Sequence, residues 1–118
     1  MQLEEQLNRL IDAVDGAMGA ALLSSDGVII HAIEPRRSTG IANGLSEFGL
    51  VAKQLTSLDD LSHLGEPLSF MFDSTERTVL IRSLGPNYFV ALWVSAATDV
   101  LVAQFRLRVV CADLMAVI

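Results

Sequence analysis

The sequence has only one cysteine, Cys111, so no disulfide can form within a chain of 118 residues. A protein without disulfides is typical of a reducing compartment, and we expect it to be cytoplasmic. Charged residues are also scarce, at 19%, against roughly 25% in an average soluble domain. Hydrophobic residues make up 52%, which indicates that part of the apolar surface is kept for a partner.

Basic clusters are missing as well. The eight basic residues are outnumbered by fourteen acidic ones, which gives a net charge of −6, and the longest basic run is the pair Arg36–Arg37. Nucleic acid and anionic membranes are therefore not expected as partners. No apolar run approaches the roughly 20 residues of a membrane span. Glu4 and Glu5 interrupt the apolar pattern that a signal peptide would need near the N-terminus.

No catalytic apparatus is recognisable. The sequence has no glycine-rich phosphate loop, no nucleophile elbow and no Cys/His pair, so we expect neither an enzyme nor a cofactor. His31 lies in a predicted strand and Cys111 in an apolar helix, which favours packing roles for both. One acidic loop contains possible metal ligands, although such loops are more often simply solvated: Asp59, Asp60, His63 and Glu66.

Hydrophobic periodicity predicts three helices and five strands within a single domain spanning residues 1–118. The helical period of 3.6 and the strand period of 2, together with turn signals, place them in the order α-β-β-α-β-β-β-α. The predicted bounds are 2–14, 18–24, 28–33, 38–58, 68–73, 78–83, 88–94 and 99–118. Hairpin turns between strands imply mostly antiparallel pairing. The first and fifth strands are apolar on both faces, so an α+β fold with helices on both sides is expected.

The predicted central helix, 38–58, carries two patterns. Its apolar stripe consists of Ile41, Leu45, Phe48, Ala52 and Leu55. Beside this stripe, small residues recur every seven positions, at Ala42, Gly49 and Thr56. Small residues at heptad spacing allow another helix to approach closely. That helix belongs either to the same chain or to a second copy of the protein.

The predicted last helix is apolar on almost every side. Leu101, Phe105 and Met115 define one face, and Leu107 and Leu114 define another. A helix of this kind is either sandwiched between layers or keeps one face for a partner.

These patterns converge on a known family. The segment Gly16-Ala17-Met18-Gly19 continues through Ala20-Ala21-Leu22-Leu23 into Ser25-Asp26-Gly27, the central helix ends before a polar loop, and the strand at 88–94 leads into a helix from Asp99. The chain therefore resembles the Roadblock family of the dynein light-chain type. The resemblance covers nearly the whole chain, although the last helix is more apolar than in many relatives.

The resemblance implies a three-layer α/β/α fold of profilin-like architecture, with strand order 2-1-5-4-3. Relatives dimerise by pairing their third strands edge to edge and their central helices side by side. The third strand carries no Lys, Pro or other guard in its middle, so a second copy is the simplest way to cover it. The expected dimer interface, within a homodimer or a heterodimer of two Roadblock chains, consists of Ala42, Gly49, Thr56, Leu68, Phe70 and Phe72.

The resemblance also implies a partner, since bacterial relatives, including a gliding-motility member, regulate a small Ras-like GTPase. We therefore expect a bacterial regulator or scaffold whose paired central helices bind such a GTPase. The candidate contacts are Asn43, Glu47, Leu50, Gln54, Arg36 and Arg37. Leu50 is the one apolar side chain on this face, and it is either a contact or an ordinary exposed leucine. No arginine finger is visible, so a GTPase-activating protein of this kind would reshape the switch loops of its partner.

Two alternatives remain open from the sequence. Eukaryotic relatives scaffold dynein intermediate chain, so a dynein-type scaffold subunit is one of them. The other is a small-molecule sensory domain of profilin-like architecture, which requires a cavity with convergent polar groups. The sequence offers few buried polar candidates for such a cavity beyond His31 and Arg82.

Overall fold

The computed structural model describes residues 2–34, 44, 45, 47, 50, 51, 54 and 68–117. In chain order its elements are the first helix Gln2–Ala13, β1 Ala17–Ser24, β2 Ile29–Ile33, β3 Ser69–Asp73, β4 Arg77–Leu84, β5 Tyr88–Ser95 and the last helix Val100–Met115. The six described residues between 44 and 54 are helical, and we call this segment the central helix. Every predicted strand is present, with each bound within one residue of the prediction.

The five strands form one sheet in the order β2-β1-β5-β4-β3. Every pair of neighbours is antiparallel, including β1 and β5, which are far apart in the chain. This confirms the expected strand order 2-1-5-4-3. The sheet therefore has β1, β5 and β4 in its interior and two edges, β2 and β3.

Each face of the sheet is covered by its own hydrophobic cluster. On one face, Leu7 of the first helix and Leu107 of the last helix pack against Leu92 of β5. On the other face, Leu45 of the central helix packs with Trp93 of the same strand. Burying a leucine contributes on the order of 2 kcal/mol, so neither face of the sheet is stable without its helical layer. The three-layer α/β/α architecture is thereby confirmed.

Gly19 makes room for the largest side chain of the core. It lies directly opposite Trp93 in the pairing of β1 with β5, next to a register irregularity in β1. A Cβ atom at position 19 would overlap the Trp93 indole and would lie 2.9 Å from the carbonyl oxygen of Ile33. The Trp93 side chain is fully buried. The second glycine of the Gly16-Ala17-Met18-Gly19 segment thus has a packing role.

The last helix begins as predicted, because the Asp99 carboxylate accepts a hydrogen bond from the Leu101 N–H at 3.0 Å and caps its first turn. It ends at Met115, three residues earlier than expected. One face is buried against the sheet through Leu107 and Leu114. The opposite face is open to solvent, with Leu101 76% and Phe105 58% exposed. The last helix is therefore not sandwiched between two layers, because one of its faces is exposed to solvent.

We predict that Gly19→Ala lowers the free energy of unfolding by about 1–3 kcal/mol, because the added methyl forces Trp93 or the Ile33 backbone to move. Chemical denaturation followed by far-UV circular dichroism measures the change. Gly44→Ala is the matched control, since a Cβ atom at this helical position meets nothing within 4 Å. The control should be neutral or more stable by up to about 1 kcal/mol. Equal stabilities of the two variants would contradict the close approach at Gly19.

Candidate interaction surface

Strand β3 forms one edge of the sheet. It pairs with β4 on one side, from Ser69 opposite Arg82 to Asp73 opposite Thr78, and no described strand lies on its other side. The hairpin turn that holds it is fixed by Ser74, whose hydroxyl donates to the carbonyl oxygen of Arg77 at 2.7 Å. A rigid edge with backbone N–H and C=O groups facing outward is a template for pairing with another strand.

The side chains of β3 leave this edge without the usual protection. Phe72 is 57% exposed and Met71 is 51% exposed, and they point to opposite faces of the sheet. The only charged residue, Asp73, stands at the end of the strand, where the Thr78 hydroxyl donates to its carboxylate at 2.7 Å. Neither lysine nor proline interrupts the strand. The edge is therefore apolar on both faces.

The three residues predicted for the strand interface differ in their exposure to solvent. Phe70 is half-buried and packs against the cluster beneath the central helix. Leu68, which immediately precedes β3, is 62% exposed, and Phe72 is 57% exposed. Phe70 and Phe72 share the sheet face that the central helix covers, because they pair with Ile81 and Val79 of that same cluster.

The central helix exposes a second apolar surface. Leu45 is fully buried, and the described residues on the opposite side of the helix are exposed: Glu47, Leu50, Val51 and Gln54. Three of them were predicted as partner contacts. Val51, which is 53% exposed beside Leu50 at 50%, was not. Its helical spacing, four residues after Glu47 and three before Gln54, is the signal that could have identified it.

Six of the predicted site residues lie outside the described residues. They are Ala42, Gly49 and Thr56 of the small-residue series and Asn43, Arg36 and Arg37 of the partner-binding set. The acidic loop considered for a metal lies outside them as well. The described residues include no group of three or more His, Cys, Asp or Glu side chains that could hold a metal ion. In the same part of the chain, no helix is long and apolar enough to cross a bilayer.

The two side chains considered for chemistry are both packed. His31 on β2 is half-buried, and its Nε2 atom is inaccessible to solvent without a hydrogen-bond partner among the described residues. Cys111 is buried against the sheet in the cluster beneath the last helix. Burial raises the pKa of its thiol to about 11, and the positive charge of Arg82 offsets part of this rise. A thiol of this kind is a poor nucleophile at neutral pH.

A groove of about 470 Å³ lies between the last helix and strands β3 and β4. Of its polar side chains, Ser69, Gln104 and Arg108 are exposed to solvent and Arg82 is half-buried, whereas His31 is not among the lining residues. A small-molecule sensory site would instead gather buried polar groups around an enclosed ligand. The groove does not have this character.

Several solved structures are similar to this chain over nearly its whole length. MglC from Myxococcus xanthus is 20% identical, with a TM-score of 0.79 over 100% of both chains. MglB from the same organism has a TM-score of 0.86 at 12% identity over 99% of this chain and 94% of its own. The chain has a Roadblock fold. A Roadblock/LC7 domain from Streptomyces avermitilis matches at 15% identity, with a TM-score of 0.72 over 93% of this chain and 92% of that domain.

These similarities support a relationship with the Roadblock family, as the sequence patterns indicated. A second MglB structure, described as having a tetrameric arrangement, matches with a TM-score of 0.78 at 12% identity over 98% of this chain and 86% of its own. No protein-family model and no curated protein matches the sequence. At these identities the comparisons establish the Roadblock fold.

We predict that Cys111 reacts slowly with a disulfide reagent in the folded protein. At pH 8 the rise of its pKa from 9.0 to about 11 lowers the thiolate fraction by about 100-fold, and burial blocks access further. The release of the chromophore from an aromatic disulfide should therefore be at least about tenfold faster in denaturant than in buffer, because the higher nucleophilicity of a thiolate with a raised pKa offsets only part of the loss. A comparable rate in both solutions would show that the last helix does not cover Cys111.

Proposed function

We propose that this chain is a non-catalytic interaction module that acts as a dimer, either with itself or with a second Roadblock-type chain. The observation that carries the proposal is the unguarded edge of β3, with Phe72 and Leu68 exposed beside an outward row of backbone groups. Pairing with the same edge of a second copy would satisfy the backbone groups and bury these side chains. The tetrameric arrangement described for one MglB structure supports assembly through this fold.

The dimer proposal also involves the central helix. Phe72 and the central helix lie on the same side of the sheet, so pairing of two β3 edges brings the central helices of two copies onto one continuous face. On that face Leu50 and Val51 expose adjacent apolar side chains. Ala42, Gly49 and Thr56 are retained as the proposed seam between the two helices.

We further propose that the face formed in this way binds a small Ras-like GTPase. The Roadblock fold and the resemblance to bacterial GTPase regulators support this partner class. The proposed contacts are the described residues Glu47, Leu50, Val51 and Gln54, together with Asn43, Arg36 and Arg37. An apolar pair flanked by a carboxylate and an amide is typical of the core and rim of a protein interface.

Phe72→Asp should convert the dimer to a monomer, because a charge at the centre of the paired edges would be buried opposite its own copy. Light scattering coupled to size exclusion measures the molar mass. Ile30→Asp is the matched control, since Ile30 is 47% exposed on β2, at the opposite edge of the sheet. The control should keep twice the mass of a single chain.

A wild-type chain that remains monomeric at high concentration, and that captures no second Roadblock chain from its source cells, would overturn the dimer proposal. A dimer that persists in Phe72→Asp but is lost in Ile30→Asp would show that the interface lies at β2, the opposite edge of the sheet, and would also contradict the proposal.

Leu50→Asp should weaken binding of the GTPase by at least about tenfold, the effect of losing roughly 1.4 kcal/mol at an interface, while the dimer persists. The GTPase is first captured from the source cells on the tagged dimer, in the presence of GDP or a non-hydrolysable GTP analogue. Its affinity for the dimer is then measured by calorimetry. Val102→Asp, a change at an exposed position of the last helix, serves as control. Equal affinities for wild type and Leu50→Asp would exclude this face.

GTP turnover by the captured GTPase distinguishes activation from scaffolding. Acceleration by an equimolar amount of the dimer would support a GTPase-activating role without an arginine finger. Unchanged turnover together with tight binding would leave a scaffold.

A further inference from the structure

The groove between the last helix and β3 lies on the face of the sheet opposite the central helix. The last helix packs over β4 and β5, so β3 extends beyond it and leaves a concave strip along the edge of the sheet. Two side chains that are almost completely buried, Leu80 and Leu107, form its floor. The groove shares strand β3 with the edge assigned to the dimer, and it lies on the opposite face of the sheet from the surface assigned to the GTPase.

The walls of the groove are apolar and exposed. Met71 of β3 stands on one side, 51% exposed, and Leu101 and Phe105 of the last helix stand on the other. The guanidinium of Arg106 lies over the Phe105 ring, 5.8 Å from its centre. Apolar side chains on two facing walls form a cleft that an inserted side chain can contact on both sides.

The charged residues among the described lining of the groove are both arginines. Arg82 of β4 and Arg108 of the last helix line it, and none of the described lining residues is a carboxylate. Neither Arg82 nor Arg108 forms an ion pair or hydrogen bond with the rest of the described chain.

This local charge contrasts with that of the whole molecule. The chain carries a net charge of −6, but Asp73 at the end of β3 and Asp99 at the start of the last helix do not line the groove; Asp73 accepts a hydrogen bond from Thr78, and Asp99 caps the last helix. Two arginines that have no anionic partner among the described residues, beside an exposed apolar cleft, are complementary to an occupant that is apolar and acidic.

We propose that the groove binds a helix of another protein that carries an apolar stripe flanked by Asp or Glu. The apolar stripe would enter between Met71 and Phe105, and its carboxylates would pair with Arg82 and Arg108. Leu101 and Arg108 are about 10 Å apart along the helix axis, two turns, which suits an occupant of two to three turns. The concave shape distinguishes this site from a flat amphipathic face that lies on a membrane.

The site does not depend on the dimer or the GTPase. Pairing of β3 with a second copy uses the backbone edge, whereas side chains such as Met71 stand perpendicular to the sheet. If the dimer forms, the two grooves lie next to each other across the paired edges. If it does not, each chain still has a complete groove.

The test uses two labelled synthetic helices of about 16 residues that share a leucine stripe and differ only in the flanking residues, Glu in one and Lys in the other. Fluorescence anisotropy should show that the wild-type protein binds the Glu helix at least about tenfold more tightly than the Lys helix. The double variant Arg82→Glu/Arg108→Glu should reverse this preference, and Phe105→Ser should weaken binding of the Glu helix. Arg9→Glu, the same type of substitution at one exposed position of the first helix, is the control.

Reversed preference in the double variant, with the control unchanged, supports the proposal. Each of three results would overturn it. The wild-type protein does not prefer the Glu helix, or the preference persists in the double variant. In the third, the protein binds neither helix but sediments with vesicles of anionic phospholipid, and Phe105→Ser abolishes that sedimentation. If Phe105→Ser alone converts the dimer into a monomer, the groove is an interface between two copies of the chain. That result would also overturn the proposal. Circular dichroism confirms that every variant is folded.

Discussion

Strand β5 packs against one helical layer through Val90, Leu92 and Val94 and against the other through Phe89, Ala91 and Trp93. A strand buried on both faces requires two helical layers, and its position between β1 and β4 places the rest of the sheet symmetrically around it. Because both broad faces are used to stabilise the fold, new partners can be accommodated only at the sheet edges and on the outer sides of the helices.

The two edges of the sheet differ in what surrounds them. Strand β3 has an exposed aromatic side chain on one face and an exposed methionine on the other, so the two proposed surfaces meet at this one short strand. On the face of Phe72 the neighbouring layer is the central helix, and on the face of Met71 it is the last helix. In the proposed assembly, this one edge strand contacts a second copy through its backbone groups and Phe72, and a third protein through Met71.

The strands could be located from the sequence because alternation, apolar runs and turn residues are local signals. The strand order came from the resemblance to the Roadblock family, since the pairing of β1 with β5 joins residues such as Ala21 and Ala91 that no local pattern connects. Leu45 was identified as a core residue because helical spacing alone indicated its face.

The sites were less accessible to sequence reasoning. The sequence did not identify Val51 as a contact, because a valine within an apolar helix gives no local sign of whether it faces the sheet or the solvent. The groove was missed entirely, since it depends on the register that sets Met71 opposite Leu80 and on the position of the last helix above β4 rather than β3. The apolar character of the last helix was clear from its residues, but which of its faces stays open is decided by tertiary packing.

Trp93 is the only tryptophan of the chain, and its ring occupies the space above Gly19 that no side chain fills. The indole is fully screened from water, and its Nε1 atom has no hydrogen-bond partner among the described residues. Its fluorescence emission should therefore lie at short wavelength and shift to the red only when the middle of the sheet opens. The fold thus contains an intrinsic optical reporter, which responds to unfolding of the β1–β5 pair while being remote from the edges where partners would bind.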